Sequence, residues 1–156
     1  MGVKLGKYAK LYYKVGGVAA AGEWIELKKV RDVTLNVDKG EADVTTRDNA
    51  GWKAMIGALK NGSVDLKMPW NTADEGFVAL MESFFLDQVI GLSILDDEID
   101  VGTGLQADFE VFKFNRTETL EEALSADITV KPTFSDTAPV WLENGAPIAT
   151  GTGTGA

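Results

Sequence analysis

Two segments of this chain alternate apolar and polar residues with a period of two, the pattern of a β-strand that buries one face. The alternating sets are Val33, Leu35 and Val37 against Thr34, Asn36 and Asp38, and Val64, Leu66, Met68 and Trp70 against Ser63, Asp65 and Lys67. Pro69, near the end of the second segment, predicts that strand pairing stops there, because proline has no backbone N–H to donate. The chain is therefore predicted to build a sheet with one apolar face on a core and one polar face outside it.

Five further segments are predicted to be strands. They are Tyr8–Val15 and Trp24–Lys28, which would form a hairpin, a buried Val89–Leu95, Leu105–Asn115, and Ile128–Phe134. Along Leu105–Asn115, the apolar residues stand at odd positions up to Val111 and at even positions from Phe112. This change of apolar parity predicts a bulge in the strand. In the apolar run Trp52–Leu59, Gly57 predicts a bulge or a break. The Asn-Gly pair at residues 61 and 62 predicts a turn, since both residue types tolerate positive φ.

One helix is predicted among these strands. Thr72 and Glu75 match a capping box, in which the two side chains satisfy backbone groups of the first helical turn. Apolar residues then recur at spacings of three and four, so one side of a helix over Ala73–Leu86 is apolar and would pack on the sheet. These residues are Phe77, Leu80, Met81, Phe84 and Phe85.

The predicted fold class is mainly β, either a two-sheet β-sandwich or a partly closed barrel, with one flanking α-helix. A length of 156 residues fits one domain. Residues 1–142 are assigned to this domain. Residues 143–156 contain a low-complexity Thr-Gly run and are predicted to be a flexible C-terminal tail.

The composition excludes several classes of function. The chain has no cysteine and no histidine, which removes disulfides, thiolate and imidazole metal ligands, and Ser-His or Cys-His catalysis. A net charge of -9 disfavours tight nucleic-acid binding, which needs clustered Lys and Arg. Residues 1–78 hold 12 Lys and Arg against 10 Asp and Glu, whereas residues 79–156 hold 3 against 14, and this asymmetry favours directed association. We find no secretory signal and no apolar stretch of about 20 residues that would cross a membrane.

Three kinds of chemistry are considered for this chain. An acidic run before Gly102 offers oxygen ligands to a cation, but no bidentate glutamate follows at the offset of a calcium loop, so we predict neither metal nor cofactor. Asp108 and Glu110 share a strand face and would serve as the paired carboxylates of a hydrolase. Four tryptophans would form the stacking platform of a carbohydrate-binding β-sandwich if they were exposed together. The acidic run is Asp96, Asp97, Glu98 and Asp100, and the tryptophans are Trp24, Trp52, Trp70 and Trp141.

Several segments, in their order and spacing, resemble the tail tube proteins of long-tailed phages and prophages. They are LGKYAKLYY at Leu5–Tyr13, VRDVTLNVDKGEADVTTRDNAGWKA at residues 30–54, the run ending in SVDLKMPW, the apolar helix after residue 72, and ITVKPTF at Ile128–Phe134. The resemblance implies a structural subunit and no enzyme: hexameric rings would stack head to tail around a channel for DNA. The implied partners are copies of this chain and the tape measure, initiator and terminator proteins of a tail, with DNA only as passing cargo and no membrane. The implied location is the virion tail, after assembly in the bacterial cytoplasm.

The resemblance also implies roles for two sets of residues. The charged loop Lys39–Gly51 would project toward a neighbouring subunit, with contacts from Lys39, Glu41, Asp43, Arg47 and Asp48. The polar strand faces would line the channel, through Thr34, Asn36, Asp38, Ser63, Asp65 and Lys67. The tube subunit of a secretion or contractile injection apparatus is an alternative with the same architecture.

Overall fold

The computed structural model describes Val3, Leu5, Gly6 and residues 9–148 of the chain. Within this part the chain forms nine strands and one α-helix, α1, which spans Glu75–Phe85. The strands are β1 (Lys10–Val15), β2 (Ile25–Glu26), β3 (Val33–Asp43), β4 (Met55–Pro69), β5 (Ile90–Leu95), β6 (Gly104–Thr117), β7 (Ser125–Pro132), β8 (Val140–Glu143) and β9 (Ala146–Pro147).

All nine described strands belong to one antiparallel sheet, in the order β2-β1-β5-β6-β7-β4-β3, with β8 on β6 and β9 on β8. Its ends, β2 and β3, do not pair with each other, so the sheet is not closed. One apolar core takes Leu11 and Leu92 from one side of β6 and Val64 and Val130 from the other. The sheet therefore curls around its own core, and the predicted mainly β domain with one flanking helix is confirmed.

β6 joins the two halves of the sheet. From Gly104 to Phe109 it pairs with β5 on one edge, and its first residues pair with β8 on the other edge. From Phe109 onward it pairs with β7, in a register that shifts between Val111 and Lys113. This shift confirms the bulge predicted from the change of apolar parity.

α1 packs on β5 and β6 and buries Phe77 and Leu80 in the core, as the apolar spacing predicts. The predicted capping box is wrong. The helix begins after Asp74, whose side chain accepts a hydrogen bond from the backbone N–H of Phe77 at 3.1 Å. An aspartate in this position satisfies a free N–H and also stabilises the positive end of the helix dipole. Thr72 lies in the turn that precedes this cap.

β3 and β4 form one long two-stranded ribbon, and the turn predicted at Asn61 and Gly62 is wrong. Both residues lie inside β4 and pair with residues of β3. The chain reverses instead at Ala50 and Gly51, which have positive φ values of 52° and 83°. The continuous ladder of pairs with β3 overrides the local turn preference of an Asn-Gly dipeptide.

The ribbon is longer and more exposed than the sequence predicts. β3 continues through Asp43, so only the later part of the predicted loop Lys39–Gly51 is a loop. Leu35 packs against the core, but Val33 and Val37 are 36% and 51% exposed. The prediction that β3 buries one whole face in its own subunit is therefore wrong.

The other predicted strands are present, but β2 covers only Ile25–Glu26 of the predicted Trp24–Lys28 and the last predicted strand ends early. β1 and β2 pair as a hairpin, and every residue of β5 is buried. β7 ends at Pro132, whereas the predicted strand continues to Phe134, which is 94% exposed. Thr133 N still donates to Asp108 O of β6 at 3.0 Å, so the pairing stops only after this residue.

The chain continues to form strands beyond residue 142, the predicted end of the domain. β8 extends to Glu143, and β9 adds Ala146–Pro147 to it. The remainder of the predicted flexible tail, residues 149–156, lies outside the described residues. In the part that the structure describes, no helix has the length and apolar character needed to cross a membrane.

Candidate functional site

The six residues predicted to line a channel lie on one side of the sheet, which we call the polar face. They are Thr34, Asn36, Asp38, Ser63, Asp65 and Lys67. The register places Thr34 opposite Asp65 and Asn36 opposite Ser63 across β3 and β4. The polar face continues onto β7 and the second half of β6 through Asp127, Thr129 and Lys131 and through Glu110, Lys113 and Asn115.

Hydrogen bonds connect the polar face across three strands. Asp65 accepts a hydrogen bond from Thr129 Oγ1 at 2.6 Å and another from Asn36 Nδ2 at 3.2 Å. The charges on this face are mixed: the carboxylates are Asp38, Asp65, Glu110 and Asp127, and the cations are Lys67, Lys113 and Lys131. Because cations do not predominate, the polar face offers DNA phosphates no strong binding site.

The four strands that carry the polar face, β6, β7, β4 and β3, end in two open edges. β3 pairs with β4 on one edge, and no described strand joins its other edge. β6 pairs with β5 only as far as Phe109, so residues 110–117 have β7 on one edge and no described strand on the other. Unpaired N–H and C=O groups along such edges are templates for pairing with another chain.

The far end of the β3–β4 ribbon, residues 39–60, forms an arm in which no described side chain is buried. The five residues predicted to contact a neighbour all lie on this arm. Lys39, Glu41 and Asp43 share one face of β3. Arg47 and Asp48 lie at the tip, in a short 3₁₀ turn.

Local hydrogen bonds order the tip of the arm. Thr46 caps the 3₁₀ turn by accepting a hydrogen bond from Asp48 N at 3.3 Å. Thr45 Oγ1 accepts one from Ala54 N at 2.9 Å, which joins the two sides of the loop. Hydrogen bonds from Thr45 lower the pKa of Asp43, because they stabilise its carboxylate.

A bulge marks the start of the arm, as Gly57 predicts. Two residues of β4, Ala58 and Leu59, lie opposite the single residue Gly40 of β3. A Cβ on Gly40 would come within 3.3 Å of the Ala58 Cβ, so the two positions face the same side of the ribbon. The extra residue lies on β4, and the alternation along β3 therefore continues unchanged through the bulge.

The polarity of the two faces inverts at this bulge. The side of the ribbon that carries Asn36 and Asp38 in the sheet carries Ala42, Ile56, Ala58 and Leu59 in the arm. The opposite side changes from Val33, Leu35 and Val37 to Lys39, Glu41 and Asp43. The sequence contains a signal of this inversion, because the residues at odd positions are apolar from Val33 to Val37 and charged from Lys39 to Asp43. Gly40 and these charges are also typical of a loop, however, and the sequence alone does not distinguish the two.

The carboxylates considered for catalysis have structural partners. Asp108 is 5% exposed and accepts hydrogen bonds from Val18 N at 2.5 Å and from Ser135 Oγ. Glu110 accepts a hydrogen bond from Thr133 Oγ1 at 2.5 Å. Both carboxylates thereby bind segments of the chain that lie outside β6. Among the described residues, no group of three or more Asp and Glu is arranged to hold a metal ion.

The tryptophans considered for carbohydrate stacking have different surroundings. Trp70 packs edge-on against Phe77, with ring centroids 5.0 Å apart. Trp24 lies beneath the ammonium group of Lys14, 4.9 Å from its ring centroid. Trp52 is on the arm and is 77% exposed. Trp141, on β8, is 39% exposed. Because Trp24 and Trp70 are only partly exposed, the four tryptophans are not exposed together.

Comparisons with solved structures identify the fold. A chain from the tail of an empty GTA particle, computed with helical refinement and C6 symmetry, matches with a TM-score of 0.72 over 90% of this chain and 99% of that chain, at 13% identity. The SPP1 tail tube matches with a TM-score of 0.65 over 83% of this chain and 75% of that chain, at 14% identity. A chain of the anti-feeding prophage baseplate matches with a TM-score of 0.53 over 90% and 97% of the two chains, at 6% identity. The sequence matches no protein-family model and no curated protein. At these identities the likeness establishes the tail-tube-like fold.

Proposed function

We propose that this protein is the structural subunit of a phage or prophage tail tube, whose copies form hexameric rings that stack around a channel for DNA. The observation that supports this most directly is the four-stranded patch with one polar face and two open edges, in a fold shared with the C6-symmetric tail. The role is structural and involves no catalysis. The protein acts in the virion tail after assembly in the bacterial cytoplasm.

Closure of a ring would satisfy the open edges of the patch. The open edge of β3 in one copy pairs with residues 110–117 of β6 in the next copy. Each copy then adds its four strands, β6, β7, β4 and β3, to a continuous barrel. The polar faces line the channel, since the core of each subunit packs against the other face of the patch through Leu35, Val64 and Val130.

The arm supplies further contacts between copies through Lys39, Glu41, Asp43, Arg47 and Asp48. The ends of the tube meet other tail proteins, and DNA passes as non-specific cargo. The tube of a contractile injection apparatus is the second candidate, but the baseplate chain matches with a TM-score of 0.53, against 0.72 for the GTA tail.

Cross-linking of designed cysteine pairs tests the proposed ring. The natural chain has no cysteine, so introduced thiols are the only ones present. Thr34→Cys on β3 and Asn115→Cys on β6, combined in one chain, place a thiol near each open edge. A short bis-maleimide added to concentrated protein is expected to give a ladder of multimers that ends at six copies, because a closed ring has no free edge.

The controls separate edge pairing from random collision. Each single variant is expected to give dimers at most. A variant that combines Thr34→Cys with Glu23→Cys, an exposed position in the β1–β2 loop, is expected to give no ladder. Negative-stain microscopy of the uncross-linked protein is expected to show rings or tubes. A double variant that stays monomeric by both measurements contradicts the proposal.

A further inference from the structure

The inverted polarity of the arm leaves an apolar surface that the subunit does not cover. Ile56 is 54% exposed and Leu59 is 84% exposed, and they lie on the side of the ribbon that is polar nearer the core. In the proposed tube this side would face water if the arm simply extended the channel wall. An apolar surface on a thin ribbon is stabilised when another molecule excludes water from it.

A second exposed apolar surface lies at the C-terminal end of α1, which we call the helix-end patch. It consists of Phe85 and Leu86, which are 65% and 60% exposed. Phe85 packs edge-on against Phe84, with ring centroids 4.9 Å apart, and Phe84 stacks on Phe114 of β6. The patch is therefore the outer layer of an aromatic cluster that the core holds in position.

The charges around the two surfaces are complementary. The last turn of α1 has no basic residue, and residues 82–88 include Glu82 and Asp87 but no Lys or Arg. These carboxylates add negative charge at the negative end of the helix dipole, which is unfavourable. A cation from another molecule would reduce this repulsion. The arm carries four cations, Lys39, Arg47, Lys53 and Lys60, against three carboxylates, Glu41, Asp43 and Asp48. Lys39 and Lys60 pair on the face of the ribbon opposite Ile56 and Leu59, whereas Arg47 and Lys53 lie in the tip loop that precedes Ile56.

We propose that the arm of one copy docks on the helix-end patch of a second copy, with Ile56 and Leu59 on Phe85 and Leu86 and with Lys53 of the tip loop near Glu82. This inference rests on the proposed tube and adds to it the surface that receives the arm. The polar face consequently ends at the bulge. Beyond residue 38 the ribbon leaves the channel wall and packs on the surface of a neighbouring copy. The bulge supports this change of direction, because bulges bend a strand and increase its twist.

A second cysteine pair tests this contact. A chain that carries Leu59→Cys and Leu86→Cys is expected to give a ladder of multimers with the same bis-maleimide, whereas either single variant gives dimers at most. All these positions are exposed, so the substitutions leave the core intact. The matched control combines Leu59→Cys with Glu23→Cys and is expected to give no ladder.

The two cysteine pairs distinguish the inference from the proposed function. A ladder from the β3–β6 edge pair without one from the arm–helix pair overturns the docking of the arm and leaves the tube proposal standing. The absence of a ladder from both pairs overturns both.

A charge-reversal cycle measures the same contact without cross-linker. Lys53→Glu and Glu82→Lys are each expected to lower the amount of polymer that sediments at a given protein concentration by about tenfold, a cost of about 1.4 kcal/mol per contact. The double variant is expected to recover most of the loss, since the opposite charges are restored in exchanged positions. Equal sedimentation of the wild type and both single variants overturns the inference.

Discussion

At the scale of single residues, the buried carboxylate of Asp108 joins segments that are distant in the chain. It lies in β6, and it accepts hydrogen bonds from Val18, in the loop after β1, and from Ser135, in the loop after β7. The backbone of the first loop lies so close that a Cβ on Gly17 would come within 2.8 Å of the Asp108 Oδ1. An acidic residue that the sequence offered as a catalytic candidate is therefore a connector between loops.

We expect Asp108→Ala to lower the free energy of unfolding by about 1 to 3 kcal/mol, because the half-buried N–H of Val18 and hydroxyl of Ser135 lose their acceptor. Asp108→Asn should cost less, since the amide oxygen still accepts from Val18 and the amide nitrogen can donate to Ser135. Urea unfolding followed by tryptophan fluorescence measures both. Equal destabilisation by the two variants would contradict the assigned role.

Tyr13 gives the subunit a dependence on alkaline pH. Burial raises the pKa of its phenol, and the carboxylates of Glu75 and Asp74 raise it further. The folded state therefore favours the neutral phenol. The resulting stability is fully present below the ordinary pKa of 10.0 and is lost as the pH rises from there through the folded-state pKa.

Tyr13→Phe is accordingly expected to flatten the fall in unfolding free energy above pH 10.0. Glu75→Gln keeps the phenol but removes one of the two carboxylates, so its slope should lie between those of the wild type and Tyr13→Phe. Chemical denaturation at a series of alkaline pH values measures these slopes. Identical slopes for all three proteins would show that Tyr13 does not carry this dependence.

At the scale of elements, the ribbon of β3 and β4 divides into two parts with different tasks. Its lower part belongs to the sheet, where Leu35 and Val64 pack in or against the core. Its upper part, the arm, has no buried side chain among those described. We therefore expect the arm to contribute to assembly and little to the stability of the subunit.

Removal of the arm tests this division. Replacement of residues 40–59 by Asn-Gly would connect the paired residues Lys39 and Lys60 through a two-residue hairpin turn. We expect the free energy of unfolding of the shortened protein to lie within about 0.5 kcal/mol of the wild-type value, because no buried side chain among those described is lost. It should form no tubes by electron microscopy. Tubes of normal appearance would show that the arm is dispensable for assembly.

The sequence predicted those elements whose own pattern agrees with their surroundings. β5 is wholly buried, as its run of apolar residues predicts. α1 buries Phe77 and Leu80, as their spacing of three residues predicts. The errors occur where distant pairing decides. Asn61 and Gly62 favour a turn locally, but β3 holds them extended. The open edges have no sequence signal, since which strands become neighbours depends on the whole sheet.

At the scale of the whole molecule, the mixed charges of the polar face and the negative net charge of the chain both affect how the proposed tube would interact with DNA. The net charge is -9, and the polar face mixes carboxylates with lysines. In the proposed tube such a wall lets a polyanion slide past, whereas a basic wall would hold it.

Substitution of Asp38 and Asp65 by lysine is therefore expected to make tubes retain DNA. Retention should be strong at about 50 mM salt and weaken steeply by about 200 mM, as counterion release requires. Gel electrophoresis of DNA with preformed tubes measures it, and a phage that carries both changes should lose infectivity. Glu121→Lys combined with Glu122→Lys, two exposed positions outside the polar face, is the control matched in charge. Equal retention by control and double variant would place the two aspartates outside the channel.

The separation of the arm from the core has a consequence for evolution. Substitutions between residues 39 and 60 change a surface that no described core residue depends on. The arm can therefore diverge between related lineages while the fold is conserved. If the arm determines which subunits assemble together, two prophages in one host would form separate tails because their arms differ. Changes in residues 39–60 would then be the first to prevent subunits of diverging lineages from assembling together.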